Sequence, residues 1–281
     1  MIKNSVKFGL ASLLLASASF AHEFWVDGYN SNVFKANIGY GHEFPLPEKI
    51  DPERVSIFEA VVLTDKNMKN TTLKNGEENY QFVANSALND GTYILSANYK
   101  PTYWTKTADS KWYANKTRKD FPDAQLCEKA TRFAKSIINI GDSKDDYVTK
   151  PINQKFEIVP LVNPADIKVG VPFKMKVLLD GKAAKGVQLK GTIEGFGEER
   201  FAFVGPVGLN GEIEVVALKS GKWMFLAETT KKTDNKECES DWFSTSITFT
   251  INWLRNTENR KRKTENRMRI PNTEYGIRNT D

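Results

Sequence analysis

The stretch "PFKMKVLLDGKAAKGVQLKGTIEG", Pro172 to Gly195, decides the fold class of this chain. Apolar and polar residues alternate near both of its ends, which is typical of β-strands with one buried face. Between them lies "DGKAAKG", whose two glycines mark a tight turn. The stretch therefore predicts two short strands joined by a turn.

The same spacing continues on both sides of this stretch. About seven short strands, with a turn signal every 8 to 12 residues, predict an immunoglobulin-like β-sandwich over residues 155–251. Earlier strand segments include "SNVFKANIGYGH", "VSIFEAVVLTD" and "TYILSANYK". We therefore predict a mainly β protein with two β-rich domains, the first over residues 22–154. One short helix is expected near residues 122–134, passing into the strand "KSIINIG".

The first residues have the pattern of a secretory leader. Lys3 and Lys7 precede a short apolar run, and Ser19-Phe20-Ala21 forms a small-x-small cleavage signal. This predicts a signal peptide over residues 1–21 and an exported, soluble, periplasmic protein that begins at His22. A cut after Ala18 fits the same rule and remains the alternative. The leader is too short to span a bilayer, and no later segment is long and apolar enough to do so.

The net charge of +5 belongs to the ends of the chain. The leader contributes +2 and residues 252–281 contribute +4, which leaves −1 for residues 22–251. The predicted folded region therefore has no evident attraction to nucleic acid. The basic tail, residues 252–281, has few apolar residues and no periodicity, so disorder is predicted there. Binding of nucleic acid or anionic lipid, or a run-on past the end of the domain, are the alternatives for this tail.

Cys127 and Cys238 are the only cysteines. An even count in an exported chain predicts one structural disulfide, which would connect the two halves of the protein. A metal or redox role is disfavoured, because the chain has no Cys-x-x-Cys spacing.

The chain has two histidines, His22 and His42, and each begins a "HEF" triplet. If cleavage exposes His22, its α-amine and its Nδ1 can chelate one metal ion, and His42 can supply a third nitrogen. Such donors suit Ni(II) or Co(II), with Cu(II) also accepted. A strand at Phe24–Val26, a turn and a returning strand would bring the histidines together, and the glycines beside Tyr40 would permit a bend.

The carboxylate ligands are less well determined by the sequence. Asp27 and Glu43 are the candidates, either as direct ligands or as partners that orient an imidazole. Glu23 and Glu43 each follow a histidine directly and would point to the opposite face of an extended strand, so both rank below the histidines. Solvated surface carboxylates, and two unrelated surface histidines, are the competing interpretation. Aromatic residues between Tyr99 and Tyr113 predict either a sandwich core or a ligand-stacking surface.

Four segments together resemble a known family: "AHEFWV", "IGYGHEFP", "YWTKT" and "VPLVNPADIKVGVPFKMKVLLDGKAAKGVQL". They are similar to the periplasmic components encoded with bacterial nickel and cobalt uptake transporters. The resemblance covers roughly residues 22–251. It implies a two-domain β protein outside the inner membrane that acquires divalent transition metals and has a membrane metal transporter as its partner.

Hydrolase, metalloprotease and phosphate-loop motifs are absent from the sequence, so an enzyme is not predicted. Two other functions remain open. A terminal histidine with a second histidine is also the copper set of oxidative polysaccharide-cleaving enzymes, with Tyr40 or Phe44 as the axial aromatic residue. A structural or adhesive β-sandwich protein would make both histidines incidental.

Overall fold

The computed structural model describes residues 22–197 and 200–252. The predicted leader, and all of the predicted tail except Asn252, lie outside these residues. The strands of the first half are β1 (Glu23–Asn30), β2 (Phe34–Gly41), β3 (Val62–Thr64), β4 (Asn70–Thr72), β5 (Lys74–Asn75), β6 (Gln81–Val83), β7 (Gly91–Lys106), β8 (Trp112–Ala114) and β9 (Leu126–Ile140). Those of the second half are β10 (Phe156–Pro160), β11 (Pro172–Leu179), β12 (Lys182–Ala183), β13 (Gln188–Ile193), β14 (Phe203–Pro206), β15 (Glu212–Val216), β16 (Gly221–Lys232) and β17 (Ser240–Ile251).

The mainly β class is confirmed, and the predicted helix near residues 122–134 is wrong. In the described part of the chain, helical structure is limited to the 3-10 segments Pro52–Ile57, Asp146–Thr149 and Pro164–Asp166. None of these helical segments has the length and apolar character needed to cross a membrane. Residues 126–134 belong to β9, which pairs with β7 on one side and β17 on the other. These backbone pairings override the local helix propensity of its Ala, Glu and Lys residues.

The strands form three sheets. A nine-stranded sheet has the order β14-β13-β16-β17-β9-β7-β3-β4, with β8 paired to β7. A four-stranded sheet has the order β1-β2-β6-β5, and another contains β10, β11, β12 and β15. The large sheet includes strands from both sides of residue 154, joined by the parallel pairing of β17 with β9. The division of the chain into two domains at that residue stays a prediction.

The second half forms a β-sandwich, as predicted. The two predicted strands, β11 and β13, do not pair with each other, because they lie in different sheets. Asp180-Gly181 closes a short hairpin between β11 and β12, and the residues after β12 carry the chain to the large sheet. The four-stranded sheet with β10, β11 and β15 and the large sheet together bury Phe156, Ile158, Phe173, Met175, Val177, Val215, Leu189, Ile193, Trp223, Phe225, Phe243, Ile247 and Phe249.

The four-stranded sheet of β1, β2, β5 and β6 packs on the other face of the large sheet. Phe24 and Val26 of β1 pack in a core with Leu95 and Ala97 of β7 and Ala134 of β9. The large sheet is therefore covered on both faces over its central strands. Strands in such a position read as nearly continuous apolar runs.

The predicted disulfide is present between Cys127 of β9 and Cys238, which lies between β16 and β17. The two cysteines are 111 residues apart in the sequence, so on the chain-entropy model the disulfide would contribute roughly 4 to 5 kcal/mol to the free energy of unfolding. Ion pairs next to it join the connection between β8 and β9 to the segment of Cys238: Lys119 with Glu237 at 2.8 Å, and Arg118 with Glu239.

A buried ion pair lies in the core below the large sheet. Lys135 Nζ of β9 is 2.6 Å from Glu157 Oε1 of β10, and both side chains are 1% exposed. The same Glu157 oxygen accepts the backbone N–H of Ile152 at 2.8 Å. Burial lowers the pKa of Lys135, and the Glu157 carboxylate opposes this shift.

Removing one partner of this pair should destabilise the protein strongly. Lys135→Met leaves a buried carboxylate without its cation, and we expect a loss of about 3–5 kcal/mol in the free energy of unfolding. The double variant Lys135→Met/Glu157→Leu should recover part of that loss. Chemical denaturation measures both. The control is Lys231→Met, which breaks a half-exposed pair with Asp180 and should cost less than about 1 kcal/mol. Equal losses for the two single variants would contradict the prediction.

Candidate metal centre

The two histidines lie side by side at the open end of the β1–β2 hairpin. The register pairs Glu23 with Gly41 and Asn30 with Phe34, so the next position along it places His22 opposite His42. The strands are longer than predicted, and the turn occupies only residues 31–33. The prediction that a hairpin brings the histidines together is therefore confirmed.

The histidine rings contact each other and a tyrosine. Their centroids are 4.4 Å apart with an angle of 35° between the planes. His22 also stacks on Tyr40 at 4.8 Å and 9°. Residues 22 and 40 have this contact because a strand side chain reaches its diagonal neighbour as well as the residue directly opposite. Both histidines are partly exposed, so the pair is open to solvent on one side.

The surroundings of His22 favour the neutral form of its imidazole. Burial contributes most to lowering the pKa of His22, followed by the positive charges of His42, Arg54 and Arg132, while Glu48 opposes the shift. Only the neutral imidazole has a free nitrogen lone pair for a metal ion. At neutral pH fewer protons therefore compete with a metal ion for the imidazole nitrogens of His22.

Glu48 is the carboxylate that the sequence analysis missed. A turn closed by the Leu46 N–H to the Glu43 carbonyl at 2.9 Å brings Glu48 back to the end of β2. There the His42 N–H donates to Glu48 Oε1 at 3.4 Å. Its charge also acts on His22, so Glu48 is close to both histidines. No sequence pattern marks it, because it comes six residues after His42 in a segment without strand or helix periodicity.

The structure does not bring Asp27 to the histidines. Asp27 is five residues from His22 on β1, an odd separation that puts its side chain on the opposite face of the strand. There its carboxylate forms an ion pair with Lys222 of β16. Burial raises the pKa of Asp27, and Lys222 opposes the rise. Glu43 follows His42 directly and is exposed.

Gly39 and Gly41, beside Tyr40, do not bend β2 but leave room for neighbouring side chains. β2 continues through both of them to Gly41. A Cβ on Gly39 would lie 1.8 Å from the Trp25 ring, and one on Gly41 would lie 2.3 Å from Glu48 Oε1. Gly41 therefore permits the carboxylate to lie against the strand beside the histidine pair.

The aromatic residues divide into two groups. Tyr99 is buried and packs beside Tyr40, and its hydroxyl accepts the Trp104 Nε1–H at 3.0 Å. This supports the core interpretation for that part of the cluster. Trp112 and Tyr113 are 37% and 36% exposed. Trp25 and Phe44 pack with Met224 and Leu226, so they lie on the face of β1 opposite His22, and Trp25 does not cover the histidine pair.

Arg132 of β9 lies behind His22. Its Nη1 donates to the His22 carbonyl at 2.7 Å. Within residues 22–197 and 200–252, no three His, Cys, Asp or Glu side chains are grouped so that they could hold a metal ion. The site therefore offers two imidazoles and one nearby carboxylate, and a complete ligand set needs another donor or a movement of Glu48.

Comparisons with known proteins give a family but no activity. The family model described as Domain of unknown function (DUF4198) matches residues 19–231. Among curated proteins, none matches the chain. One similar solved structure is native alpha-2-macroglobulin from Escherichia coli spanning domains MG0-NIE-MG1, at 6% identity and a TM-score of 0.20, with 78% of this chain and 69% of that chain covered. A TM-score this low supports no conclusion about fold or function.

The lowered pKa of His22 makes stability depend on pH. Below about pH 6.5 the unfolded chain binds a proton at His22 more readily than the native protein does, so acidification through that window destabilises the native state. We expect NMR titration of the metal-free protein to give His22 a pKa below that of a free imidazole. His22→Gln should lose less stability than the wild type when the pH falls from about 7.5 to about 5. Equal losses would contradict the assignment.

Proposed function

The chain belongs to the DUF4198 family, and for this member we propose an exported, periplasmic protein that captures Ni(II) or Co(II) at its mature amino terminus. The proposed terminus is His22. The protein would pass the ion to a membrane metal transporter, with the β-sandwich as scaffold or docking surface.

The observation that carries this proposal is the contact between the only two histidines of the chain, with centroids 4.4 Å apart. Their paired position at the end of a hairpin lets both imidazoles reach one ion. The leader pattern ends directly before His22, so cleavage there would add a basic α-amine to the same residue. The amine and Nδ1 of His22 with the imidazole of His42 give three nitrogens.

The donor types favour late first-row metals over hard cations. Imidazole and amine nitrogens suit Ni(II), Co(II) and Cu(II), whereas Mg(II) and Ca(II) prefer oxygen. Glu48 accepts the His42 N–H and would add one oxygen ligand after a small movement. Cu(II) would bind the same nitrogens more tightly in the usual affinity order, so the choice of nickel or cobalt depends on supply. The resemblance to nickel and cobalt uptake components supports that choice and the transporter as partner.

The terminal amine gives a test that keeps every side chain. One alanine added before His22 converts the amine into a non-basic amide, and we expect at least a tenfold loss of Ni(II) affinity, about 1.4 kcal/mol. His42→Ala should lose at least as much, because it removes one imidazole. Isothermal titration of the metal-free protein measures both affinities. Intact mass of the exported protein fixes its first residue and its metal content.

Circular dichroism and thermal unfolding provide the control, since neither change touches the buried core. If the native, extended and His42→Ala proteins bind Ni(II) and Co(II) equally, the histidine pair is incidental. A structural or adhesive β-sandwich protein would then be the better explanation.

The carboxylate can be identified by three matched variants. We expect Glu48→Gln to weaken Ni(II) binding several-fold, because Glu48 accepts the His42 N–H and its charge acts on His22. Glu43→Gln should have a smaller effect. Asp27→Asn should leave affinity unchanged and reduce thermal stability, because Asp27 pairs with Lys222 on the other face. A larger loss for Glu43→Gln than for Glu48→Gln, in the same titration, would reverse the assignment.

A further inference from the structure

Arg132 combines burial with an unusual set of contacts. Its side chain is on β9, the residue is 7% exposed, and its Nη1 donates to the His22 carbonyl at 2.7 Å. Its guanidinium lies over the rings of Trp242, Tyr99 and Tyr40 at 4.5, 5.6 and 5.7 Å from their centroids. Its Nε is buried and makes no hydrogen bond. A buried cation with one bond to a carbonyl and an unsatisfied N–H is costly.

These contacts fix His22 in two ways. The hydrogen bond holds the backbone of His22 at its carbonyl, and a charged donor makes such a bond stronger than a neutral one. The same guanidinium lies over Tyr40, on which the His22 ring stacks at 4.8 Å. Tyr40 stacks in turn on Tyr99, another ring below Arg132. Arg132 therefore restrains the carbonyl directly and the imidazole through Tyr40.

We infer that Arg132 is a positioning residue that presets the chelating conformation of His22 for a transition-metal ion. This inference rests on the proposed function. The amine and Nδ1 of one histidine can bind the same ion only in a restricted set of backbone and side-chain conformations. A residue that holds this set before the ion arrives removes part of the ordering cost of binding. Groups that orient a metal ligand in this way typically change metal affinity by about 10- to 100-fold.

The positive charge of Arg132 determines which change in metal affinity would indicate positioning. A fixed positive charge near the site repels a metal cation, so electrostatics alone predicts that its removal strengthens binding. Burial raises the pKa of the neighbouring Glu128 to about 7, and Arg132 opposes that rise. Replacing Arg132 by a neutral residue removes one positive charge and can add at most one proton at Glu128. The net charge near the site therefore cannot become more positive than in the wild type. Weaker binding after neutralisation thus indicates positioning.

The experiment compares four mature proteins that begin at His22: wild type, Arg132→Gln, Arg132→Lys and Ser246→Ala. Ser246 is the matched control, because its hydroxyl donates to the Phe24 carbonyl at 2.6 Å two residues along the same strand. We expect Arg132→Gln to bind Ni(II) at least tenfold more weakly than the wild type. Arg132→Lys keeps the charge and should also bind more weakly, because an ammonium lacks the planar fork that spans the rings and the carbonyl. Ser246→Ala should stay within about threefold of the wild type.

A metal-free readout separates this inference from the proposed function. An aminopeptidase should release His22 from Arg132→Gln faster than from the wild type or Ser246→Ala, as measured by intact mass. If the wild type binds no metal, the proposed function fails, and the protease still reports whether Arg132 holds the terminus. Unchanged or tighter Ni(II) binding by Arg132→Gln would overturn the inference. If that variant does not fold, wild-type affinity in Arg132→Lys would overturn it instead.

Discussion

Side chains of the large sheet close the outer edge of β1, and the packing of the sheet of β1, β2, β5 and β6 on the large sheet depends on this closure. Among the strands of the described residues, β1 lies at the edge of its sheet and pairs with β2. Its carbonyls at positions 22, 24 and 26 accept hydrogen bonds from Arg132, Ser246 and Thr248, at 2.7, 2.6 and 2.7 Å. Edge strands with unpaired groups invite pairing with other chains. Here side chains take the place of a neighbouring strand and also seat the small sheet on the large one.

The donors come from two strands that are far from β1 in the sequence but parallel neighbours in the large sheet. Arg132 is on β9, and Ser246 and Thr248 are on β17. Paired residues of parallel strands present their side chains to the same face, so all three donors point toward β1. The disulfide between Cys127 and Cys238 joins the start of β9 to the segment before β17, which supports the register of this pairing. The buried Lys135–Glu157 pair connects the opposite face of β9 to the sandwich.

The sequence predicts the fold class and the histidine pair because both depend on local patterns. Alternation and turn residues mark the strands, and one short turn between β1 and β2 is enough to place His22 opposite His42. The alternation rule that ranks Glu23 and Glu43 below the histidines also applies to Asp27, which has the same parity as Glu23, so its position on the other face is predictable from the sequence. The local sequence predicts a helix near residues 122–134, and the strand pairing on both sides of β9 that overrides it is a long-range property. Glu48 and Arg132 reach the site through a turn and a distant strand, and neither leaves a signal in the local sequence.

The contact between the first and last described strands also concerns the order in which the molecule can form. Ser246 and Thr248 bond to carbonyls 222 residues earlier in the chain, so β1 cannot be sealed until β17 has been synthesised and paired with β9. Topologies with such distant contacts fold slowly, because the entropy of closing a long loop must be lost first. A chain that ends before β17 would keep both histidines but would lack two of the hydrogen bonds that hold their hairpin. Synthesis of the chain through β17 is thus a precondition for the arrangement at its beginning.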